Sequence, residues 1–265
     1  MVPRLVLGPI GSLPSRVKFL AQAAGSKLGF AVSAVRAVAG GPFDIVVSGH
    51  VNLVTLGTLL GWAAGARTAL VIHGIDAWSR HASLMVRACL PHMDCVIGVS
   101  NLTLGRFGRW ARVDASRFRL LPNCVDLEQF TPGPKPAELM RQLGLDGSTV
   151  IMTLGRLASE ERFKGFDEVI EVLPEIARSI PDITYLICGD GLDRDRLKAS
   201  AEAIGVGDRV VFTGFVPETT KIEYYRLADA YVMPSRGGDL ASCFSRRWHA
   251  ACRYSAALWT EAGRR

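Results

Sequence analysis

None of the chain's six cysteines, Cys89, Cys95, Cys124, Cys188, Cys243 and Cys252, falls in C-x-x-C or another metal-ligand spacing. That argues against a zinc ribbon, a thiol-redox motif and a disulfide scaffold. Cys95 and Cys188 lie inside apolar runs, where free cysteine behaves as a small hydrophobe. A reduced, cytoplasmic protein is expected. The chain also lacks a long unbroken apolar segment. Residues 45–66 carry no charge, but His50, Asn52, Thr55, Thr58 and four glycines interrupt them. A buried strand followed by a helix fits that stretch better than a membrane span. The opening MVPRLVLGPIGSLP has no signal-peptide architecture. With 49% hydrophobic and 21% charged residues, disorder and collagen-like repetition are excluded.

The net charge of +6 is unevenly placed. Residues 1–131 hold 13 basic and 6 acidic side chains; residues 132–235 hold 12 and 17; residues 236–265 hold 6 and 2. A basic half, an acidic half and a basic tail do not make a continuous nucleic-acid footprint. No nucleic-acid partner is expected.

Short apolar runs alternate with helical patterns. FDIVVSGH (43–50), TALVIHG (68–74) and CVIGVS (95–100) read as fully buried strands, with helices around 52–65, 80–90 and 101–112. PNCVDLEQFTPGPKP (122–136) is the linker. Strands then recur at 148–157, 183–191, 209–214 and 229–235. Between them lie helices at 165–180, 193–205 and 219–228. The first of these shows its apolar period at Val169, Ile170, Leu173 and Ile176. Strand–helix alternation implies parallel sheets covered on both faces. The expectation is two Rossmann-like units, at 1–131 and 132–235, with ligands outside the carboxyl ends of the strands.

The most informative segment is GRLASEERFKGFDEVI, from Gly155. A strand end presents Arg156, and a short loop delivers Lys164 and Gly165 at a helix start. Two cations and a helix N-terminus suit a diphosphate. Gly189-Asp190-Gly191 closes the next strand where a nucleotide could approach the backbone. Gly214-Phe215-Val216 closes the one after. Asp193-Arg194-Asp195 mimics a metal-binding D-x-D but reads as the solvated first turn of a helix. RFGRWARVDASRFR (106–119) holds five arginines. Arg106, Arg109 and Arg112 are expected on one helical face, either solvated or touching anionic lipid at the membrane periphery.

GRL…KG, L-x-CGDG, DRVVFTGFV and LADAYVMPS together resemble the nucleotide-sugar-binding half of family 4 (group 1) glycosyltransferases, which have the GT-B fold. VIHGIDAW, CVIGVS and PNCVD resemble that family's first-half landmarks, in order. The resemblance covers residues 40–235. It implies a hexosyltransferase moving a sugar, with retention, from a nucleotide sugar to the hydroxyl of a glycan, lipid-linked or small-molecule acceptor, without a metal or other cofactor. It implies that Arg156 and Lys164 hold the donor diphosphate, and that His73 is the catalytic residue facing the donor sugar. The backbone of Phe215 and Val216 would meet the base, Gly189 and Gly191 would line the donor site, and Lys221 would contact phosphate or ribose. A nucleotide-sugar epimerase of the same architecture is the nearest enzymatic competitor. A non-catalytic nucleotide-binding remnant or pseudogene product is the alternative from another class.

The chain departs from this pattern at both ends. The family's opening strand and Gly-Gly loop have no counterpart before FDIVVSGH; Gly8 and Gly11 are poor substitutes. After Pro234-Ser235-Arg236 the family's E-G-F-G…E-A-M-A segment, whose two carboxylates contact sugar and ribose, is missing. Shifting the reading frame from Gly238 onward, with permitted codon choices, gives GFGIVLLEAMACGVPVLGSSLDGSREA. Residues 236–265 therefore read as a largely out-of-frame tail, leaving the second unit incomplete and the sheet edge after Tyr231–Pro234 unpaired.

Overall fold

The computed structural model describes residues 1–4, 6, 13–124, 126–235 and the backbone of Tyr254–Ala256. Two compact units divide the chain, Met1–Pro122 and Asn123–Arg265. The junction precedes the expected one at 131/132. Phe130 explains the shift: it is buried in the second unit's core, with its ring 6.0 Å from that of Tyr225.

The first unit contains helix α1 (Lys27–Ala39), then β1 (Ile45–Ser48), α2 (Val54–Ala64), β2 (Arg67–Ile72), α3 (Ile75–Trp78), α4 (Leu84–Cys89), β3 (Cys95–Gly98), α5 (Asn101–Ala111) and β4 (Phe118–Leu120). The four strands form a parallel sheet in order β1-β2-β3-β4. β1 is an edge strand. Ile45 and Val47 are exposed, so the expectation of a fully buried strand fails there, although β2 and β3 carry the buried Leu70, Ile72 and Val96. Helix α1 escapes sequence reading because its small and apolar residues leave no polar face. The Ser26 side chain caps it, accepting from the Gly29 N–H at 2.8 Å. Gly8 and Gly11 lie outside the described residues.

The second unit runs α6 (Ala137–Gln142), β5 (Thr149–Leu154), α7 (Phe166–Ser179), β6 (Ile183–Cys188), α8 (Arg194–Ile204), β7 (Val210–Gly214), α9 (Lys221–Leu227), β8 (Ala230–Val232) and β9 (Tyr254–Ala256). Its strands are parallel, in order β7-β6-β5-β8-β9. Alternate residues of β5 and β6 feed two cores. Val150, Met152, Leu186 and Cys188 pack with Tyr225 and Leu227 of α9. Ile151, Ile183, Tyr185 and Ile187 pack under Val169, Ile170 and Leu173 of α7 and Leu197 of α8. Both faces are thus covered, as near-continuous apolar strands require. Each fully buried aliphatic side chain contributes about 1.5–3 kcal/mol.

The expected open edge at β8 is not found. Ala230, Tyr231 and Val232 pair with Tyr254, Ser255 and Ala256. Strand pairing uses backbone N–H and C=O groups, so this segment satisfies the edge whatever its side chains. The rest of the expected tail at 236–265 lies outside the described residues.

Candidate active site

After β5 the chain builds β6 and β7 on one side, then crosses to place β8 on the other. This makes the C-terminal end of β5 a topological switch point, where open α/β sheets bind ligands. Gly155 and Arg156 stand there. The turns after β5, β6 and β7 are joined by backbone hydrogen bonds. Gly155 N–H donates to Cys188 O at 2.9 Å, Leu157 N–H to Asp190 O at 3.0 Å and Gly189 N–H to Gly214 O at 2.9 Å. The two glycines of Gly-Asp-Gly serve this zipper. A Cβ at Gly189 would lie 1.9 Å from Gly155 O, and one at Gly191 2.1 Å from Leu157 O. Packing of the neighbouring loop thus already requires glycine at both positions, whatever else they contact.

Arg156 and Lys164 do come together. Between them the chain forms a 3₁₀ segment, Ser159–Lys164, with non-helical backbone angles at Glu161. Glu161 Oε1 accepts from Arg156 Nη2, and Glu161 Oε2 pairs with Lys164 Nζ at 2.6 Å. Lys164 Nζ also donates to the Arg156 carbonyl at 3.3 Å. The Arg156 side chain is 74% exposed and that of Lys164 18%. One cation therefore stands in solvent while the other is largely enclosed. Sequence reading missed Glu161; its i,i+3 spacing to Lys164 was the available signal. Gly165, at φ 89°, ends this segment and starts α7. A Cβ there would meet the Pro234 carbonyl oxygen at 2.7 Å, so this glycine lets the helix start approach the end of β8.

Phe215 is 78% exposed and Leu192, just after Gly191, 97% exposed. Two apolar side chains thus stand in solvent at the end of the sheet that holds the cations. Val216 differs: its side chain belongs to the core beside Tyr225, so only its backbone can serve a ligand. Lys221 pairs with Glu218 at the start of α9. Asp193 is no free metal ligand. Its buried carboxylate accepts from Arg196 Nε at 2.8 Å and Nη2 at 2.6 Å, with Arg162 at 3.5 Å. Arg196 also grips Asp167 in a fork at 2.6 and 2.9 Å. The Arg196 bonds hold the Asp193 carboxyl below its usual range, against the opposing effect of burial. Among the described residues no group of three or more His, Cys, Asp or Glu could hold a metal ion.

In the first unit His73 follows β2 on an exposed turn. Its Nε2 lies 3.0 Å from Gly49 O. A carbonyl only accepts, so Nε2 is the donor in this contact. The His73 backbone N–H donates to Asp76 Oδ1 at 3.3 Å. The five arginines of 106–119 divide. Arg106 stacks over Trp78 at 3.9 Å, while Arg117 donates to Pro91 O and Met93 O, both at 2.9 Å. Arg119 donates to Ser116 O and Phe118 O, both at 2.7 Å. Arg112 has left α5, at φ 56°, so the expected single helical face of Arg106, Arg109 and Arg112 does not form. Arg109 and Arg112 are the exposed members of that trio. No helix among the described residues is long and apolar enough to cross a membrane.

Two family models match the chain: Glycosyltransferase Family 4 over residues 7–129 and Glycosyl transferases group 1 over residues 137–240. The chain is 33% identical over 188 residues to a GDP-mannose-dependent alpha-(1-6)-phosphatidylinositol monomannoside mannosyltransferase of Mycolicibacterium smegmatis, covering 69% of this chain and 48% of that one. It is 30% identical to a D-inositol 3-phosphate glycosyltransferase of Segniliparus rotundus, over 54% of this chain and 32% of that one. The chain thus spans about half or less of the length of these curated relatives. Among solved structures it resembles Anabaena Alr3699/HepE in complex with UDP, with TM-score 0.72 and 17% identity, covering 87% of this chain and 63% of that one. It also resembles sucrose-phosphate synthase from Thermosynechococcus elongatus, with TM-score 0.68 and 22% identity, covering 97% and 65%. With one model matching each half, the chain belongs to the family 4, group 1 glycosyltransferases, and its fold is the GT-B fold of these solved structures.

Proposed function

We propose that this chain descends from a hexosyltransferase that moves a sugar from a nucleotide donor to an acceptor hydroxyl with retention. The observation that carries the reading is the meeting of Arg156 and Lys164 at the switch point of the second sheet. Two cations within reach of one anion can hold a diphosphate. They can also stabilise the charge that develops as the nucleotide departs. That task needs no metal. The exposed Phe215 and the adjoining backbone form the platform for the base. His73 is assigned to the transferred sugar; its Nε2–H on the Gly49 carbonyl fixes the ring orientation. The names of the relatives, a GDP-mannose-dependent enzyme and a protein bound to UDP, support a nucleotide-sugar donor. A phosphatidylinositol mannoside as acceptor in one relative supports a lipid-linked or other polyhydroxyl acceptor here.

Incubating the protein with a panel of UDP- and GDP-sugars tests the reading. Tight nucleotide binding that Arg156→Ala and Lys164→Ala each weaken at least about tenfold, the effect of losing one charge-assisted contact, is expected. No binding of any nucleotide would overturn it.

We also propose that residues 238–265 are read out of frame. The support is the frame-shifted segment itself, together with a family match that stops at residue 240. Without the two carboxylates of that segment, turnover by this chain should be impaired even where nucleotide still binds. Sequencing the gene across the codons for Arg236–Leu240 decides it. One base change there should restore E-G-F-G, and failure of every such change to do so refutes the idea.

A further inference from the structure

Glu161 has a property that the donor reading does not use. Its two carboxylate oxygens are divided between the two cations, Oε1 to Arg156 and Oε2 to Lys164. Lys164 closes the ring on the Arg156 carbonyl at 3.3 Å. Two oxygens divided across two cations form the bridge that the non-bridging oxygens of a bound diphosphate would have to replace. The carboxylate is itself only 20% exposed, so it is not a loose surface acid that has drifted into the site. The backbone supports the placement: Glu161 departs from helical angles at φ −111°, ψ 24°, inside an otherwise 3₁₀ segment. The neighbouring Arg162 turns the other way, to Asp193 at 3.5 Å.

We propose that Glu161 is an internal anion that occupies the diphosphate site of the unliganded protein and must be displaced for donor to bind. This rests on the reading of Arg156 and Lys164 as the diphosphate pair. The carboxylate competes with the ligand for both cations, and so lowers affinity. In exchange it keeps the enclosed Lys164 charge paired when the site is empty, since a buried charge left alone is costly. It also retakes both cations as the diphosphate leaves, which shortens the residence of the nucleotide product. Glu161 is therefore a residue that sets donor affinity and product release, and takes no part in bond making.

Calorimetric titration of the full chain with inorganic pyrophosphate tests this at two ionic strengths. Glu161→Gln, which keeps the shape and removes the charge, is expected to bind pyrophosphate about tenfold more tightly, the sum of two modest ion pairs no longer broken on binding. The gain should shrink at high salt. Glu161→Asp keeps the charge but is one methylene too short to span both cations, so a gain of about two- to threefold is expected. Folding of each variant is checked by circular dichroism, and either folded variant alone suffices. Unchanged or weaker binding in the folded variants would overturn the proposal and make Glu161 a brace that preorganises the cations. If the wild-type chain binds pyrophosphate no better than Arg156→Ala, the diphosphate reading itself falls, and the competing role of Glu161 with it.

Discussion

The amide of Gly155 donates to the carbonyl of Cys188 at 2.9 Å, drawing the turn after β5 onto the turn after β6. This contact, repeated by Leu157 with Asp190, fixes where Arg156 leaves the sheet. It also explains why Gly189 carries no side chain. Gly189→Ala would place a methyl 1.9 Å from Gly155 O at a φ of 148°. The two loops would have to part. A loss of about 2–3 kcal/mol is expected, read as a lower urea midpoint, together with weakened nucleotide binding. A variant as stable as wild type would show that the loops are not zipped.

Asp193 links α8 to the segment before α7 through Arg196 and Arg162. Its folded-state pKa is depressed, so its stabilising effect is present above the ordinary aspartate value of 3.8 and is lost as pH falls through the lower folded value. Asp94 behaves likewise, held down first by the backbone N–H of Thr68. Stability should therefore decline below about pH 4. Asp193→Asn should cost about 1.5–3 kcal/mol at pH 7, the worth of hydrogen bonds to a charged group, and flatten that acid limb. Thermal melts at pH 7 and pH 3.5 for both proteins would measure it.

Burial pushes the Cys188 thiol up to about 12, whereas Cys124 is exposed. A thiol that does not ionise is not a nucleophile. Brief treatment of the native chain with N-ethylmaleimide, followed by peptide mass spectrometry, should label Cys124 and spare Cys188. Denaturant should make Cys188 reactive. Labelling of Cys188 in the native state would contradict the packed core beneath the site.

The arginine cluster of the first unit now supports a smaller membrane prediction than its composition suggests. Arg106, Arg117 and Arg119 are engaged by Trp78 and by backbone carbonyls. Arg119 is exposed too, but its guanidinium is tied to Ser116 O and Phe118 O; Arg109 and Arg112 are the exposed charges proposed to face lipid. Each basic residue at an anionic surface is worth about 1 kcal/mol. Arg109→Glu with Arg112→Glu should thus abolish any pelleting with phosphatidylserine vesicles, while Arg119→Glu should change it little. Equal pelleting of all three proteins would refute a contact at this face.

Hydropathy alone placed β2, β3 and β5 to β7, because buried parallel strands are short apolar runs and their residues 150–152 and 183–188 face packed helices on both sides. The helical period of α7 was equally plain at Val169, Ile170 and Leu173. The cation pair was legible as well, since Arg156 ends a strand and Lys164 starts a helix. Sequence could not place the strand order. Only pairing across the sheet puts β8 beside β5 and makes the end of β5 a switch point. Nor could it assign Glu161, whose role depends on a local kink that turns one carboxylate toward both cations. The chemistry of the residues was written in the chain. Which loops meet at the end of the sheet, and which glycines packing itself requires, was decided by tertiary contacts between segments 30 or more residues apart, such as Gly155 with Cys188 and Arg162 with Asp193.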